Sequence, residues 1–363
     1  MMDKPRFRAA KRRALKQIAA ALAAVTLVTG FAMNSAAADE RFVLVSHGSD
    51  SNVWWNTVKN GMRDASEDFN VPVDYRNPPS GDTGDMVRIL EQAAARNYSG
   101  VVTTVPNFEM IQKGLAGVKA KHIPLVTING GPESGMKLGA LMHIGQPEYE
   151  AGKAAGERAK AAGIHDFLCV NHGADIQALW DRCKGFADAL GVDYKKSTMD
   201  SGEDPTVIES KVAAYLRSHP GTRAILALGP DQATGVLRGV KDAGMSGKIY
   251  VVTFDLSPDI LKSIQAGQIA FAIDQQPYLQ GYLSVAAMAI AIRDKTSDPA
   301  RIVAALKDDK KVAARLAKYD LKPVYTDRRL VPGRASSRRT TSRPCRSTRV
   351  HTGKRFCFAT SAE

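Results

Sequence analysis

The stretch Phe42-Val43-Leu44-Val45-Ser46-His47-Gly48-Ser49-Asp50-Ser51-Asn52-Val53-Trp54-Trp55 decides how this chain folds. It begins with a continuous apolar run, breaks into small and polar residues, and leads into Trp54–Phe69, whose apolar residues recur at helical spacing. A continuous apolar run, unlike an alternating one, suits a strand buried on both faces. The unit then repeats roughly every 25–30 residues, a length that fits one strand and one crossover helix. Further apolar runs stand at Val73–Tyr75, Val101–Val105, Leu125–Ile128, Phe167–Val170, Ala224–Leu228, Tyr250–Phe254 and Ile269–Ile273. Helix-like stretches such as Met86–Arg96, Glu148–Ala162, Ile208–Arg217 and Asp231–Ala243 lie between them. Alternating strands and helices imply parallel sheets with right-handed crossovers. So many units predict an α/β protein of two doubly wound, Rossmann-like lobes joined by a hinge. Leu138–Glu148, with Gly139, Gly145 and Pro147, is the expected first crossing between them.

The 363 residues carry a net charge of +13, which looks like a nucleic-acid signature until it is divided along the chain. Residues 1–38 hold +6 and residues 328–363 hold +9, leaving the body at about −2. A nearly neutral body gives no basic face for nucleic acid. Lys4, Arg6, Arg8, Lys11, Arg12, Arg13 and Lys16 precede an apolar run from Ile18 to Phe31, and Ala36-Ala37-Ala38 precedes Asp39. That order predicts a cleaved secretory signal peptide over 1–38 and a periplasmic mature protein. The C-terminal segment is rich in Arg, Ser and Thr with little apolar periodicity. It reads either as a basic arm or as the product of a shifted reading frame, and disorder is expected beyond Val331.

In doubly wound lobes the ligand sits outside the C-terminal strand ends. The residues there run from His47 to Trp55, then Pro106-Asn107, Asn129-Gly130-Gly131, Asn171-His172, Gly229-Pro230-Asp231, Asp255 and Asp274-Gln275-Gln276. They are amides, carboxylates and aromatics. Neither GxxxxGK nor a strand-following GxGxxG is present, so no phosphate-cradling loop is expected. No nucleophile–base arrangement can be assigned, and no CxxC or HxxxH cluster points to zinc. The expectation is a protein without catalysis, cofactor or metal.

Several of these segments resemble ribose-like periplasmic binding proteins, the substrate-binding subunits of simple-sugar ABC importers. The resemblance rests on Ser51-Asn52-Val53-Trp54-Trp55-Asn56 with Lys59-Asn60-Gly61, on Val126-Thr127-Ile128-Asn129, and on Asp181-Arg182-Cys183-Lys184-Gly185-Phe186. Val251–Asp255 with Ser257-Pro258-Asp259, and Phe271–Gly281 as second hinge, complete it across roughly residues 41–327. It implies an N-terminal lobe of 41–144 plus 277–322 and a C-terminal lobe of 145–276 plus 323–331, with a basic tail at 332–363. It also implies that Trp54 and Trp55 flank a sugar, although one indole could equally be core. Asn52, Asn129 and Gln275 would supply amides, and Asp255 a carboxylate for two hydroxyls, unless it only caps the next helix.

Departures from the ribose pattern bear on the ligand. Trp180 stands where an arginine would precede the Asp-Arg pair, Gly130 where an arginine would follow Asn129, and Gly229 where an asparagine would stand. Two missing guanidinium forks argue against ribose and for a hexose, deoxysugar or polyol. Trp180 is carried as a ligand candidate, with Asp231 and Asp175 as compensating polar groups. In an oxidising compartment Cys169 and Cys183 are either a disulfide or two buried thiols.

The function expected is delivery of a small sugar or polyol to a membrane ABC permease, by a monomer whose cleft closes on the ligand. A periplasmic receptor for a quorum signal or chemoattractant, passing it to a chemoreceptor, predicts the same cleft. A LacI-type regulator would need a DNA-binding domain where the signal peptide stands.

Overall fold

The computed structural model of the protein describes residues 40–325, 329–331, 346–349 and 355–360. The expected signal peptide lies outside the described residues. Strands β1 (Phe42–Val45), β2 (Val73–Arg76), β3 (Gly100–Thr104), β4 (Leu125–Ile128) and β5 (Met142–Ile144) form one parallel sheet in the order β5-β4-β3-β1-β2. Strands β6 (Leu168–Asn171), β7 (Thr198–Asp200), β8 (Ala224–Ala227), β9 (Tyr250–Phe254) and β10 (Phe271–Ile273) form a second with the matching order β10-β9-β8-β6-β7. Two doubly wound lobes of identical topology result. The short strands β5 and β7 carry no pattern long enough to be seen in the sequence, and β7 is only partly buried.

Helices of the first lobe are α1 (Trp54–Phe69), α2 (Thr83–Ala95), α3 (Phe108–Gly114), α4 (Ala116–Ala120) and α5 (Pro132–Lys137). Those of the second are α6 (Glu148–Ala161), α7 (Gln177–Leu190), α8 (Pro205–Ser218), α9 (Pro230–Asp242) and α10 (Pro258–Gln265). The chain then returns through α11 (Pro277–Arg293), α12 (Pro299–Asp308) and α13 (Lys310–Lys318). Helix starts are marked by prolines in the first turn of α8 to α12 and by side-chain caps from Asp82, Asn107, Asp204, Ser257 and Asp298. Strand side chains split between the two faces with period two: Phe42 and Leu44 enter one apolar cluster with α1 and α11, Val43 and Val45 another with α2.

The sheets connect through Gly145–Pro147 and Asp274–Gln276. Each crossing leads into a helix that lies at backbone contact across the helix following its lobe's first strand. In the first lobe, the position of a Cβ on Gly61 is only 2.1 Å from the Tyr278 carbonyl oxygen, and one on Gly281 is 2.0 Å from that of Val58. In the second, Gly152 meets the Arg182 carbonyl at 2.2 Å and Gly185 that of Tyr149 at 2.0 Å. Any side chain at these positions would force the helix pair apart. From the far side, Arg315 of α13 ties α1 to the return helices, reaching Asp64 at 2.9 Å and Asp68 at 2.8 Å.

The C-terminal segment differs from expectation. β11 (Val324–Tyr325) and β12 (Arg329–Val331) stay with the first lobe, so these described strands of the expected 323–331 segment do not join the second. The reason is the free edge of β5, where β12 pairs in parallel, Leu330 opposite Ile144. The expected disorder beyond Val331 also fails for two stretches. β13 (Arg346–Arg349) and β14 (Arg355–Thr360) form an antiparallel hairpin, with β14 paired along the edge of β10. The passage of the chain between the sheets here lies outside the described residues.

Cys169 of β6 and Cys183 of α7 are joined in a disulfide that fixes the helix to the strand before it. Closing a loop of this length is worth about 3 kcal/mol in the chain-entropy description. The Cys169→Ala/Cys183→Ala variant is expected to lose roughly that stability in urea unfolding. A loss below about 0.5 kcal/mol would show that the bond only decorates a fold already fixed by packing.

Candidate functional site

The two sheets face each other with the C-terminal ends of their strands, and a small cavity of about 60 Å³ lies between them. Its wall holds His47, Asn52, Trp54, Trp55 and Asn129 from the first lobe. His172, Leu179, Arg182, Asp231, Gln232, Asp255 and Gln275 come from the second lobe and its hinge. Of the nine ligand candidates named from the sequence, seven meet here. Trp180 does not. It lies in α7 between Leu179 and Arg182, and at 100° per residue it turns away from the face those two share. Its indole donates to the Ala174 carbonyl at 2.8 Å and lies edge-on to Tyr194. Asp175 is also outside the wall: it closes the rim, accepting a hydrogen bond from Thr83 across the cleft at 2.9 Å.

The two lobes place corresponding residues at corresponding strand ends. Asn129 follows β4 and Asp255 follows β9, and both have left-handed backbones, with φ of 69° and 66°. Asn and Asp tolerate that region better than other side-chain-bearing residues. Each backbone N–H donates to the end of the neighbouring strand, Asn129 to Ile144 and Asp255 to Ile273. His143 stands behind Asn129, with Nε2 3.1 Å from its carbonyl and Nδ1 3.0 Å from Thr127. Gln275, beside the second crossing, donates to Asp255 at 2.7 Å and accepts from Asn129 at 3.5 Å. Amide, amide and carboxylate thus span the cleft in one line.

Asn52 folds back so that its side-chain oxygen accepts the Trp54 backbone N–H at 3.1 Å, starting α1 at the cavity. Trp55 is buried edge-on between Trp54 and His47, with centroids 4.8 and 5.2 Å away. It supports the wall that Trp54 forms. Arg182 is a cavity residue that sequence reasoning left as a motif marker. Its guanidinium is engaged by Glu148 at 2.7 and 3.1 Å and by the Leu228 carbonyl at 3.1 Å, and it lies over the Phe254 ring. That bidentate pair neutralises the one buried cation of the described wall. Gln232 was also missed: its amide oxygen lies 2.5 Å from where a Cβ on Gly229 would sit. It therefore fills the space that the asparagine of the ribose pattern would need. Gly130 is closed off in the same way, since Ala178 Cβ from the opposite lobe is 2.5 Å from its would-be Cβ.

Burial pushes the Asp255 carboxyl up to about 7, against the pull of Arg182. Desolvation likewise lowers His47 to about 4 and His172 to about 3, so both imidazoles are neutral near pH 7. The Trp54 side chain interacts with the Asp255 carboxyl, too far apart for an ordinary hydrogen bond, and His172 Nδ1 is buried without a hydrogen-bond partner. Among the described residues there is no group of His, Cys, Asp or Glu able to hold a metal ion, and no helix long and apolar enough to cross a membrane.

A family model for the periplasmic binding protein domain matches residues 42–296, and the chain belongs to that family. Its fold is the two-lobed type 1 form. The chain is 27% identical over 279 residues to a ribose import binding protein of Haemophilus influenzae, spanning 75% of this chain and 91% of that one. Among solved structures it is similar to a carbohydrate transporter from Acidothermus cellulolyticus in complex with myo-inositol, at 27% identity and a TM-score of 0.67, over 75% of this chain and 99% of the other. A glucose-galactose binding protein from Geobacillus stearothermophilus matches at 26% identity and a TM-score of 0.63, over 71% of this chain and 92% of the other.

The buried carboxyl carries a pH signature. Above pH 7 the native state must hold a desolvated charge that the unfolded chain keeps in water. That penalty is relieved as pH falls from 7 toward 4, where both states become protonated. Without ligand, Asp255→Asn is expected to raise Tm by a few degrees at pH 8, the gain fading toward pH 4. Calorimetry at pH 8, 6 and 4 checks this, and a lower Tm at pH 8 would mean the carboxylate is held by charges that outweigh its burial.

Proposed function

We propose that this chain is an exported substrate-binding protein that takes up one small, uncharged sugar or polyol and presents it to an ABC permease. The observation that carries the reading is the cavity itself. It lies between the two lobes, is lined by indoles and amides, and holds a buried imidazole nitrogen with no partner inside the protein. A polyol meets those requirements together, because each hydroxyl both donates and accepts while the ring's C–H faces cover indole. Arg182 is already neutralised by Glu148, which leaves no spare cation for a phosphate or sugar acid. Gly130 has no room for the arginine of the ribose pattern, and the Gln232 amide occupies the space beside Gly229, so ribose is not the expected ligand. The named sugars of the similar proteins, inositol and hexoses among them, support the same class.

Binding would act through motion of the hinge. The segments Gly145–Pro147 and Asp274–Gln276 are short and lie between lobes that are each packed as a unit, which suits rigid-body opening and closing. Ligand that bridges the lobes shifts that equilibrium toward the closed form. Nothing in the wall pairs a nucleophile with a base, so the proposed role is binding without turnover.

Thermal shifts of residues 39–363 against pentoses, hexoses, deoxysugars, inositols and their phosphates test this. At least one neutral member is expected to raise Tm by mass action, while its phosphate does not. Trp54→Ala and Asn129→Ala are each expected to weaken that ligand at least tenfold. A folded protein silent to every sugar and polyol would sink the proposal.

A further inference from the structure

β1 and β6 open the two lobes, and the residues after them correspond: Ser46-His47-Gly48 in the first, Asn171-His172-Gly173 in the second. The strand registers fix the match, since Val45 lies opposite Thr103 and Val170 opposite Ala227. One residue further along, Thr104 therefore corresponds to Leu228. Thr104 Oγ1 accepts the His47 backbone N–H at 3.2 Å and lies 2.9 Å from His47 Nδ1. The hydroxyl donates to Nδ1 or accepts from it according to the ring tautomer, and in either case Nδ1 has a protein partner. Leu228 has no hydroxyl to offer, and His172 Nδ1 is buried without a partner. Both rings line one cavity. An unpartnered polar atom in a buried wall is costly unless something supplies the missing bond.

Building on the sugar-binding reading above, we propose that His47 and His172 are ligand-contacting residues that grip one neutral polyol from opposite lobes, and that the cleft closes only with both imidazoles uncharged. Their surroundings favour this state. Desolvation dominates at both, and Arg182 faces both. Asp175, facing His47, pulls the other way without prevailing. Asp231 and Asp255 complete the charged groups of the wall, and Glu148 is committed to Arg182.

Closure on ligand at pH 6 then has a proton balance. An exposed imidazole with a pKa of about 6.5 is mostly charged at that pH, so each histidine releases up to about 0.8 proton as the cleft closes. Asp255 takes up protons in the same window, because closure raises its pKa. The histidine contribution is thus read as the difference between the wild type and a variant.

The test is isothermal titration calorimetry at pH 6.0 in two buffers of different ionisation enthalpy. D-glucose, D-galactose, D-ribose, L-arabinose and myo-inositol are the probes, and the tightest is carried forward. His47→Phe and His172→Phe are each expected to bind it at least tenfold more weakly and to release fewer protons by several tenths. His172→Gln, which keeps a donor and an acceptor, should recover part of the affinity without recovering the proton release. Thermal unfolding of each variant confirms that it is folded. If the wild type binds a probe and either Phe variant binds within threefold of it, or the proton count does not change, the histidine proposal is overturned while the sugar reading stands. If the wild type binds none of the probes, both fall together.

Discussion

At Gly61 and Gly281 helices α1 and α11 touch through main-chain atoms, and at Gly152 and Gly185 helices α6 and α7 do the same. These two crossings join the parts of the molecule that must stay in register. In each pair one helix begins at the cavity and the other begins at a hinge segment. α1 carries Trp54 and Trp55 at its start, and α7 carries Leu179 and Arg182 on its cavity face. α6 and α11 receive the chain straight from Gly145–Pro147 and Asp274–Gln276. Backbone contact leaves no flexible side chains between the helices to absorb a shift. Under the proposed hinge closure, a rotation would therefore pass to the cavity wall as movement of whole lobes, with little change inside either lobe.

The same duplication explains why the site is both symmetric and usable. Asn129 and Asp255 occupy matched left-handed strand ends, and His47 and His172 matched strand exits. A perfectly repeated pair of lobes would offer the same groups twice. Here the pairs have diverged, amide against carboxylate and a hydroxyl-bonded imidazole against an unpartnered one. Within the histidine pair, the first lobe's ring is fixed by a protein hydroxyl while the second lobe's Nδ1 has no protein partner. Gln275 links the two lobes, bonded to Asp255 and within reach of Asn129.

The two-lobed architecture was legible because its strands are buried on both faces, so runs such as Phe42–Val45 and Tyr250–Phe254 stand out without any alternation to decode. Strand-end placement of Asn129, Asp255 and Gln275 followed from the same pattern. β5 and β7 were not legible, since Met142-His143-Ile144 and Thr198-Met199-Asp200 are broken by polar residues and give no continuous apolar run. Trp180 was misplaced because a motif position fixes a residue's place in the chain but not its angle around the helix. Arg182 was passed over as a motif marker, for its role depends on Glu148, 34 residues away, and on a ring above which it lies. Gln232 was invisible for a steric reason. Only the coordinates show that it enters the space vacated at Gly229. The C-terminal strands were missed because the reason for their placement is the unsatisfied edge of another strand, not their own composition.

What remains is why so polar a cavity persists at all. A buried carboxyl near neutrality and an imidazole nitrogen without a partner each cost free energy in the empty site. Filling the cavity with apolar side chains would remove that cost and give a more stable, inert protein. The polar atoms make physical sense if a molecule from outside completes their hydrogen bonds, since the closed state is then favoured mainly when that molecule is present. The cost becomes the source of discrimination: a ligand lacking a hydroxyl at one of these atoms leaves it buried and unmatched, and so binds with a loss far larger than one absent contact would suggest. Instability of the empty closed site and selectivity of the filled one are, on this argument, the same property.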